Sequence, residues 1–222
     1  MSEKSPKCTS CRIFACCTSN VLNGPGNCPT KNKVPQIESA VKIYGEDWEA
    51  KEMIFASVNT MSKGAKKWTR VEDTIDFARQ MGYKKLGIAT CSGLLYEAGI
   101  LAKMLEVNGF EVVSVCCKCG GISKESIGVT DTEQANAISQ LGIGDPSCNP
   151  VGQALVLNDE ATDFNLLVGL CVGHDTLFIK YSAAPSTTFM VKDRRLFHNP
   201  AGALYGVNSI YFRHLLSPVT LR

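Results

Sequence analysis

Three apolar segments of this sequence each end in a cysteine that has a glycine within the next two residues. The segments read LGIATCSG, VVSVCCKCGG and LLVGLCVG, and they span residues 86–93, 112–121 and 166–173. Short, almost continuously apolar runs are typical of buried strands in parallel sheets, and a glycine lets the backbone turn sharply where a strand ends. A cysteine that serves only as a small core residue is expected inside a strand or helix. The repetition therefore predicts thiols delivered to one edge of a sheet.

Segments with helical spacing of apolar residues separate these runs. LLYEAGILAKMLEVNG is closed by Gly109, CNPVGQALVLNDEA begins near Pro150, and HDTLFIKYSAAP is stopped by Pro185. A fourth strand is predicted in TTFMVKD and a closing helix in AGALYGVNSIYFRHLL. The predicted fold class is therefore α/β, an open three-layer α/β/α domain with a mostly parallel sheet of about four strands.

Residues 1–33 differ from the rest of the chain in composition. They hold five of the eleven cysteines among glycine, proline, asparagine, serine and threonine, with almost no apolar periodicity. A segment of this kind cannot form a core of its own, so it is either disordered or folded around a bound group. We therefore expect a small cysteine-rich metal-binding lobe at 1–33 and an α/β domain at 34–222.

The second part is expected to open with helices. VPQIESAVKIYG and EDWEAKEMIFASVNTMSKGAKK have helical spacing, with Gly45 as the break between them. In TRVEDTIDFARQMGY, Thr69 is the predicted N-cap, Glu72 completes a capping box, and Gly82 ends the helix.

Composition and charge narrow the function classes. With 45% hydrophobic residues, 20% charged residues and a formal net charge of +2, the chain is typical of a globular protein. Its most basic run, Lys63–Arg70, coincides with a helical pattern, so no nucleic-acid partner is expected. The sequence shows no secretory signal pattern and no apolar run of about 20 residues, so we expect a cytoplasmic protein without membrane contact.

Eleven cysteines cannot all pair in disulfides, and thiols stay reduced in the cytoplasm. Clustered cysteines in that compartment indicate metal or catalytic ligands. A Cys-x2-Cys pair is the usual grip on zinc, and four thiolates with a final Cys-Pro also suit a cubane iron–sulfur cluster, so both groups stay open for the N-terminal lobe. Its candidate metal ligands are Cys8, Cys11, Cys16, Cys17 and Cys28.

A second candidate site follows from the sheet. The carboxyl ends of parallel strands share one edge, and open α/β sheets bind ligands in the crevice there. Cys116 continues the strand pattern and is expected to pack in the core. A helix start after DPSCNP favours a thiolate there. The expected cofactor-binding residues at this edge are Cys91, Cys117, Cys119, Cys148 and Cys171.

Polar residues near these cysteines are candidates for catalysis. His174 could bind a metal or move a proton near neutral pH, and Asp175 could either orient it or cap the helix. Ser92 could hydrogen-bond a cluster sulfur or a substrate. Lys192 opens a basic run that suits an anionic substrate, although a solvated loop has the same composition. His198 and Asn199 precede a proline that is expected at the first helical position, so Asn199 is expected to cap that helix and His198 could face the site.

Several of these segments resemble a family of bacterial and archaeal proteins described as metal-binding and of unknown function. The resemblance rests on IATCSGLLYEAG, CCKCGG, CNPVGQALVLN, LLVGLCVGHDTLFIKYSAAPSTTFMVKDR and FHNPAGALYG, and it runs over essentially the whole chain. It implies metal binding and no particular reaction. The layout of cysteines on strand-end loops is also similar, more distantly, to thiouracil desulfidases. Those enzymes hold a [4Fe–4S] cluster by three cysteines and leave one iron open to take sulfur from a substrate.

The leading functional hypothesis is an enzyme that carries one or two iron–sulfur clusters and uses an open iron as a Lewis acid. Its substrate is expected to be a small molecule, anionic or thiolated, and desulfuration is the specific reaction expected. The alternative is a non-catalytic iron–sulfur or zinc protein, such as an electron carrier, a metal sensor or a store. A third reading is a zinc-stabilised domain whose second site is only structural. No nucleotide or hydrolase signature favours another reaction.

Overall fold

A computed structural model describes residues 5–18, 20–129 and 146–218 of the chain. The chain divides into two compact units, Met1–Lys63 and Gly64–Arg222. The boundary expected after residue 33 is therefore a boundary in composition, and the helices that follow it belong with the N-terminal unit. Residues 1–4 and 19 of the predicted lobe lie outside the described residues.

The N-terminal unit consists of short helical turns followed by longer helices. Three 3₁₀ turns lie at Cys8–Ser10, Ala15–Cys17 and Val21–Asn23, and the α-helices are α1 (Pro29–Asn32), α2 (Val34–Glu46) and α3 (Trp48–Gly64). The break expected at Gly45 was wrong, because α2 continues through that glycine. The break lies at Asp47, whose Oδ1 accepts the backbone N–H groups of Glu49 at 3.0 Å and Ala50 at 3.1 Å. A carboxylate at this position satisfies N–H groups that a helix start leaves unpaired.

The second unit contains a four-stranded sheet whose strands all run parallel. Its strands are β1 (Lys85–Thr90), β2 (Glu111–Cys116), β3 (Phe164–Leu170) and β4 (Ser186–Val191), in the order β2-β1-β3-β4. Its helices are α4 (Arg70–Gln80), α5 (Leu95–Val107), α6 (Pro150–Asp159), α7 (His174–Tyr181) and α8 (Ala201–Tyr205). The predicted α/β class and parallel sheet are confirmed.

Alternate residues of the strands face two separate cores, which explains the three layers. On one face, Leu86 and Ile88 of β1 pack with buried residues of α4 and α5. On the other face, Ala89 and Leu167 pack with buried residues of α6 and with Phe178 of α7. Both faces of the central strands are covered, so β1 and β3 read as continuous apolar runs rather than as alternating ones.

The helix caps follow the predicted chemistry in part. At the start of α4, the Glu72 carboxylate accepts the Thr69 backbone N–H at 2.7 Å, and the Thr69 side chain accepts the Glu72 N–H. The hydrogen bonds that the Glu72 carboxylate accepts from the Thr69 backbone N–H and from the Thr69 hydroxyl lower the pKa of Glu72. The helix ends at Gln80, and Gly82 then takes a left-handed φ of +72°. The capping box and the role of Gly82 are therefore confirmed.

The long closing helix expected from AGALYGVNSIYFRHLL was wrong. Only Ala201–Tyr205 is α-helical, and the chain continues in turns to a 3₁₀ turn at Arg213–Leu216. Large apolar side chains of this segment, Tyr205 and Ile210 among them, stay exposed, and helical spacing without a core to pack against adds little stability. Asn199 is not the cap either, since Pro200 takes that position without a side-chain hydrogen bond.

None of the described helices combines the length and the apolar character that crossing a bilayer requires.

Strand β3 contains an irregularity that only glycine accommodates. Its pairing with β4 shifts register on both sides of Val168, and Gly169 has a left-handed φ of +69°. A Cβ at Gly169 would collide with the Leu94 side chain, which follows β1. The strand end therefore lies directly against the chain segment that leaves β1.

We expect Gly169→Ala to lower the free energy of unfolding by about 2 kcal/mol or more, since a left-handed alanine alone costs about 1–2 kcal/mol and Leu94 must also move. The matched control is Gly99→Ala within α5, where a Cβ meets nothing within 4 Å. That change should raise the same free energy by about 0.5–1 kcal/mol. Urea denaturation measures both, and equal effects at the two positions would contradict the argument.

Candidate functional site

The strand order places a crevice at the carboxyl ends of β1 and β3. From β1 the chain continues to β2 on one side, and it returns past β1 to β3 on the other side. Ligands of open α/β sheets bind where the order reverses in this way. The segments that leave β1 and β3 there begin with Cys91 and Cys171, so two of the predicted thiols flank the crevice.

Cys117 lies at the centre of a group of sulfur atoms from three chain segments. Its Sγ is 3.7 Å from Sγ of Cys148, and it lies close enough to Cys91 to raise the pKa of that thiol. The backbone N–H of Ser92 donates to the same sulfur at 3.3 Å. Cys117 is only 3% exposed and Cys91 only 8%, while Cys148 is half-buried. The structure thus brings together thiols that are widely separated in sequence, and we call Cys91, Cys117 and Cys148 the thiol group.

Positive charges approach this group from the loop after β4. The Lys192 side chain lies close enough to Cys91 to oppose the rise in the pKa of that thiol, and Nζ of Lys192 lies 3.4 Å from the position that a Cβ would take at Gly93. Arg194 Nη2 donates to Sγ of Cys171 at 3.6 Å, and Cys171 is close enough to Cys148 to raise its pKa electrostatically. Cations of this kind favour thiolates or a bound anion at the sheet edge.

The three cysteines of the thiol group differ in pKa, so they do not carry negative charge equally. The hydrogen bond between Cys117 and Cys148 lowers the pKa of Cys148 to about 7, with help from the Lys118 ammonium. The nearby Cys117 side chain and burial together raise the pKa of Cys91 to about 12. Cys117 has a raised pKa, chiefly because of Cys148. Cys148 is therefore the member that carries negative charge near neutral pH.

Two amide side chains position the segments that carry these sulfurs. The Asn149 backbone N–H donates to the Cys117 carbonyl at 2.7 Å, and its Nδ2 donates to the Cys119 carbonyl at 3.3 Å. Its Oδ1 accepts the Gly152 N–H at 2.8 Å and so caps α6.

Gln153, one turn further along α6, is fully buried. Its Nε2 donates to the carbonyl oxygens of Thr90 at 3.1 Å and Val115 at 2.7 Å. One side chain of α6 therefore fixes the ends of both β1 and β2.

The two other cysteines of the CCKC segment differ in position. Cys116 is the last residue of β2 and packs partly buried against the second core, as expected. Cys119 also packs there, and its Sγ donates to the Asn149 carbonyl at 3.8 Å. Burial, followed by the neighbouring Cys116 and Cys117, raises the pKa of Cys119. Cys119 thus borders the thiol group without a sulfur-to-sulfur hydrogen bond of its own among the described contacts.

The predicted catalytic residues His174, Asp175 and Ser92 lie at the same edge of the sheet, and each makes different hydrogen bonds there. His174 is the first residue of α7, and its backbone N–H donates to the Cys171 carbonyl at 2.9 Å. Oδ1 of Asp175 accepts the backbone N–H groups of Gly173 at 3.0 Å and Thr176 at 2.7 Å. Asp175 therefore has the structural one of its two expected roles, in which it satisfies free backbone N–H groups at the start of α7. Ser92 reaches the thiol group through its backbone N–H.

The loop after β4 is held in a strained conformation. Phe197 and His198 both have left-handed φ angles, +51° and +62°. The Asp193 N–H donates to Nδ1 of His198 at 3.1 Å, and the His198 N–H donates to the Asp193 carbonyl at 2.8 Å. His198 thus closes the loop on which Lys192 and Arg194 sit, and its Nδ1 acts as an acceptor.

The N-terminal cysteines come together only in part. The neighbouring Cys17 side chain raises the pKa of Cys16, and Cys28 adds a smaller effect in the same direction. The Thr30 hydroxyl lowers the pKa of Cys28. Over residues 5–18, 20–129 and 146–218, no three histidine, cysteine, aspartate or glutamate side chains are arranged closely enough to hold a metal ion. Metal ligation at either cysteine group therefore stays a prediction.

Sequence reasoning did not identify the residues that position the thiol group. Gln153 carries a signal, because it shares a helix face with Leu157 four positions on, and a polar side chain on a core face requires internal partners. Arg194 was seen only as part of a basic run. Asn149 carries the clearest signal, since Asn-Pro before an apolar run marks a helix cap.

The model of a protein family described as "Protein of unknown function (DUF1847)" matches residues 28–189 of the chain. The chain belongs to the DUF1847 family. The matched range contains all five cysteines predicted at the sheet edge. An uncharacterized protein of Methanocaldococcus jannaschii is 53% identical over 150 residues, which cover 68% of this chain and 72% of that protein. Neither description names a metal or a reaction, so the expected metal binding and the likeness to desulfidases stay predictions.

Alkylation of Cys148 in metal-free protein should follow a pKa of about 7. Cys117→Ala should remove the leading cause of that shift, the hydrogen bond between Cys117 and Cys148, and alkylation at pH 7 should then slow about tenfold. Cleavage before aspartate and after lysine gives peptide 145–158, in which Cys148 is the only cysteine. Mass spectrometry of that peptide, labelled with iodoacetamide over a range of pH, measures the rate. Cys116→Ser is the control and should leave the profile unchanged; a profile centred near pH 9 in the unsubstituted protein would refute the assignment.

Proposed function

We propose that the protein binds an iron–sulfur cluster at the carboxyl edge of its sheet and acts as an enzyme on a small anionic molecule. One observation carries the proposal: thiols from separate segments converge beside Lys192 and Arg194 at the point where the strand order reverses. The ligands would come from the thiol group together with Cys171, and Cys119 is the spare candidate.

The donor set fits a soft metal. Thiolates select zinc, copper(I) and iron–sulfur clusters rather than magnesium or calcium. Zinc with sulfur at about 2.3 Å brings its ligands to about 3.8 Å from one another, and this matches the single contact between Cys117 and Cys148. A four-iron cluster spreads its thiolates further apart. The other candidate thiols at this edge would let the site hold the larger cluster, and the Cys117–Cys148 pair must then open.

A bound cluster with one iron free of protein ligands would supply a Lewis acid that polarises a substrate sulfur or oxygen. The chain's own residues would do the rest. Lys192 and Arg194 would hold the anionic part of the substrate, and His174 would move a proton at the start of α7. Since Asp175 is occupied as a cap, it would position α7 rather than act as a base. Sulfur removal from a thiolated compound is the reaction that we propose.

The alternative is a non-catalytic protein that senses, stores or carries electrons with the same thiols. The capping role of Asp175 favours it, because one of the ionisable groups expected for catalysis is already used for structure.

Purification under anaerobic conditions tests the cluster. We expect brown protein with about four irons and four labile sulfides for each cluster bound. Cys117→Ser and Cys171→Ser should each lower the iron and sulfide content, while Cys116→Ser, the matched control at the end of β2, should not. Colourless protein that contains only zinc would exclude the iron–sulfur proposal.

Release of sulfide from thiouracil by the cluster-loaded protein tests the reaction. Lys192→Ala should reduce the release tenfold or more at unchanged iron content if that ammonium holds the substrate. Full cluster content without any sulfide release would leave the non-catalytic alternative.

The N-terminal cysteines predict a second, separate metal. If Cys8, Cys11 and Cys28 ligate it together with Cys16 or Cys17, chelation should expose residues 1–33 to protease while the sheet unit persists, because the lobe has no apolar core. Limited proteolysis followed by mass spectrometry, with and without chelator, measures this. Equal resistance in both samples would contradict the prediction.

A further inference from the structure

Cys117 and Cys148 are placed as a pair that can be joined covalently. Their sulfur atoms are 3.7 Å apart, and a disulfide requires about 2.0 Å. Cys148 lies outside regular structure, between Ser147 and the first residue of α6, so its side chain can approach without breaking a strand. The hydrogen bond from the Asn149 N–H to the Cys117 carbonyl already holds the two backbones together.

Accessibility differs within the pair. Cys117 is 3% exposed, whereas Cys148 is half-buried at the sheet edge. A small oxidant therefore reaches the sulfur of Cys148 first, while the sulfur of Cys117 stays shielded from solvent. An accessible thiol next to a protected one is the arrangement of an attacking and a resolving cysteine.

We propose that a hydroperoxide converts Cys117 and Cys148 into a reversible disulfide. The Cys148 sulfur attacks the outer peroxide oxygen, the O–O bond breaks, and the leaving oxygen departs as water or an alcohol after taking up the thiol proton. Cys148 then carries a sulfenic acid. The Cys117 sulfur attacks that sulfur, the S–O bond breaks, and the hydroxyl leaves as water with the Cys117 proton. The two thiols lose two electrons in total, one peroxide gains them, and a dithiol reductant reverses the change.

This inference goes beyond the proposed function and requires only the two thiols. Its consequence for a metal centre follows directly, because a disulfide sulfur is no longer a thiolate ligand. Oxidation would remove two of the proposed ligands in one step and bar the site to metal until a reductant acts.

The test uses full-length, metal-free, reduced protein and one equivalent of hydrogen peroxide. After free thiols are blocked with iodoacetamide, trypsin and an aspartate-directed protease release peptides 104–118 and 145–158. We expect these two peptides to be linked, with fragmentation placing the bond at Cys117 rather than Cys116. The link should disappear after treatment with dithiothreitol.

Variants separate the roles of the two cysteines. Cys148→Ser should abolish the link, Cys117→Ser should leave a sulfenic acid on Cys148 that dimedone traps, and the control Cys116→Ser should link as fully as the unsubstituted protein. Circular dichroism establishes that each variant is folded, and peptide mapping of the unsubstituted protein decides the matter if one is not. A link through Cys116, or oxidation that spares peptide 145–158, would overturn the proposal. Because no metal is present, this outcome is independent of the iron and sulfide analysis.

Discussion

The buried carboxamide of Gln153 joins three segments that the chain keeps far apart. Its Nε2 bonds the carbonyl of Thr90, directly before Cys91, and the carbonyl of Val115, two residues before Cys117. Gln153 itself lies five residues after Cys148. The Thr90 carbonyl also accepts the Cys117 N–H at 2.8 Å, so Gln153 adds a second hydrogen bond at the end of β1 and a further one at the end of β2, each worth about 0.5–1.5 kcal/mol. The spacing of the thiol group therefore depends on a residue with no sulfur chemistry of its own.

Cations and hydrogen bonds around the sulfurs set where negative charge resides. Cys148 is stabilised as a thiolate by the Cys117 thiol and Lys118, whereas Cys91 is held in its protonated form. Lys192 and Arg194 contribute from the loop after β4, near Cys91 and Cys171 respectively. The outcome is a graded set of thiols, with the most acidic one also the most open to solvent. This difference in acidity and exposure suits a reaction that begins at the exposed sulfur of Cys148 and then involves a buried sulfur.

The parts of the fold that follow from local rules could be read from the sequence. The strand ends, the capping box at Thr69 and the helix start at Pro150 depend on neighbouring residues and came out as predicted. The convergence of cysteines on one edge followed from the geometry of parallel strands. The prediction of a long closing helix was wrong because periodicity does not reveal whether a core is available to pack against. The prediction of a break at Gly45 was wrong because one glycine is tolerated inside a helix.

What the spacing could not provide was the direction of individual side chains. Contacts such as Arg194 to Cys171, or Cys148 to Cys117, depend on loop conformations and rotamers. The bonds of Gln153 depend on how α6 lies across two strands. The grouping of α2 and α3 with the N-terminal segment likewise reflects three-dimensional packing, which composition alone does not encode.

The order of the strands attaches the sulfurs to strands that differ in how many neighbouring strands they pair with. Strands β1 and β3 have a bonded neighbour on each side, whereas β2 pairs only with β1 in the described part of the chain. Edge strands open locally at lower free energy than central ones, so the most deeply buried sulfur, that of Cys117, is attached to a strand that can fray. Hydrogen exchange in β2 should consequently report on the thiol group before any global unfolding occurs. Because Gln153 bonds the Val115 carbonyl, exchange at the amides of Ser114 and Val115 also reports whether this side chain of α6 is in place.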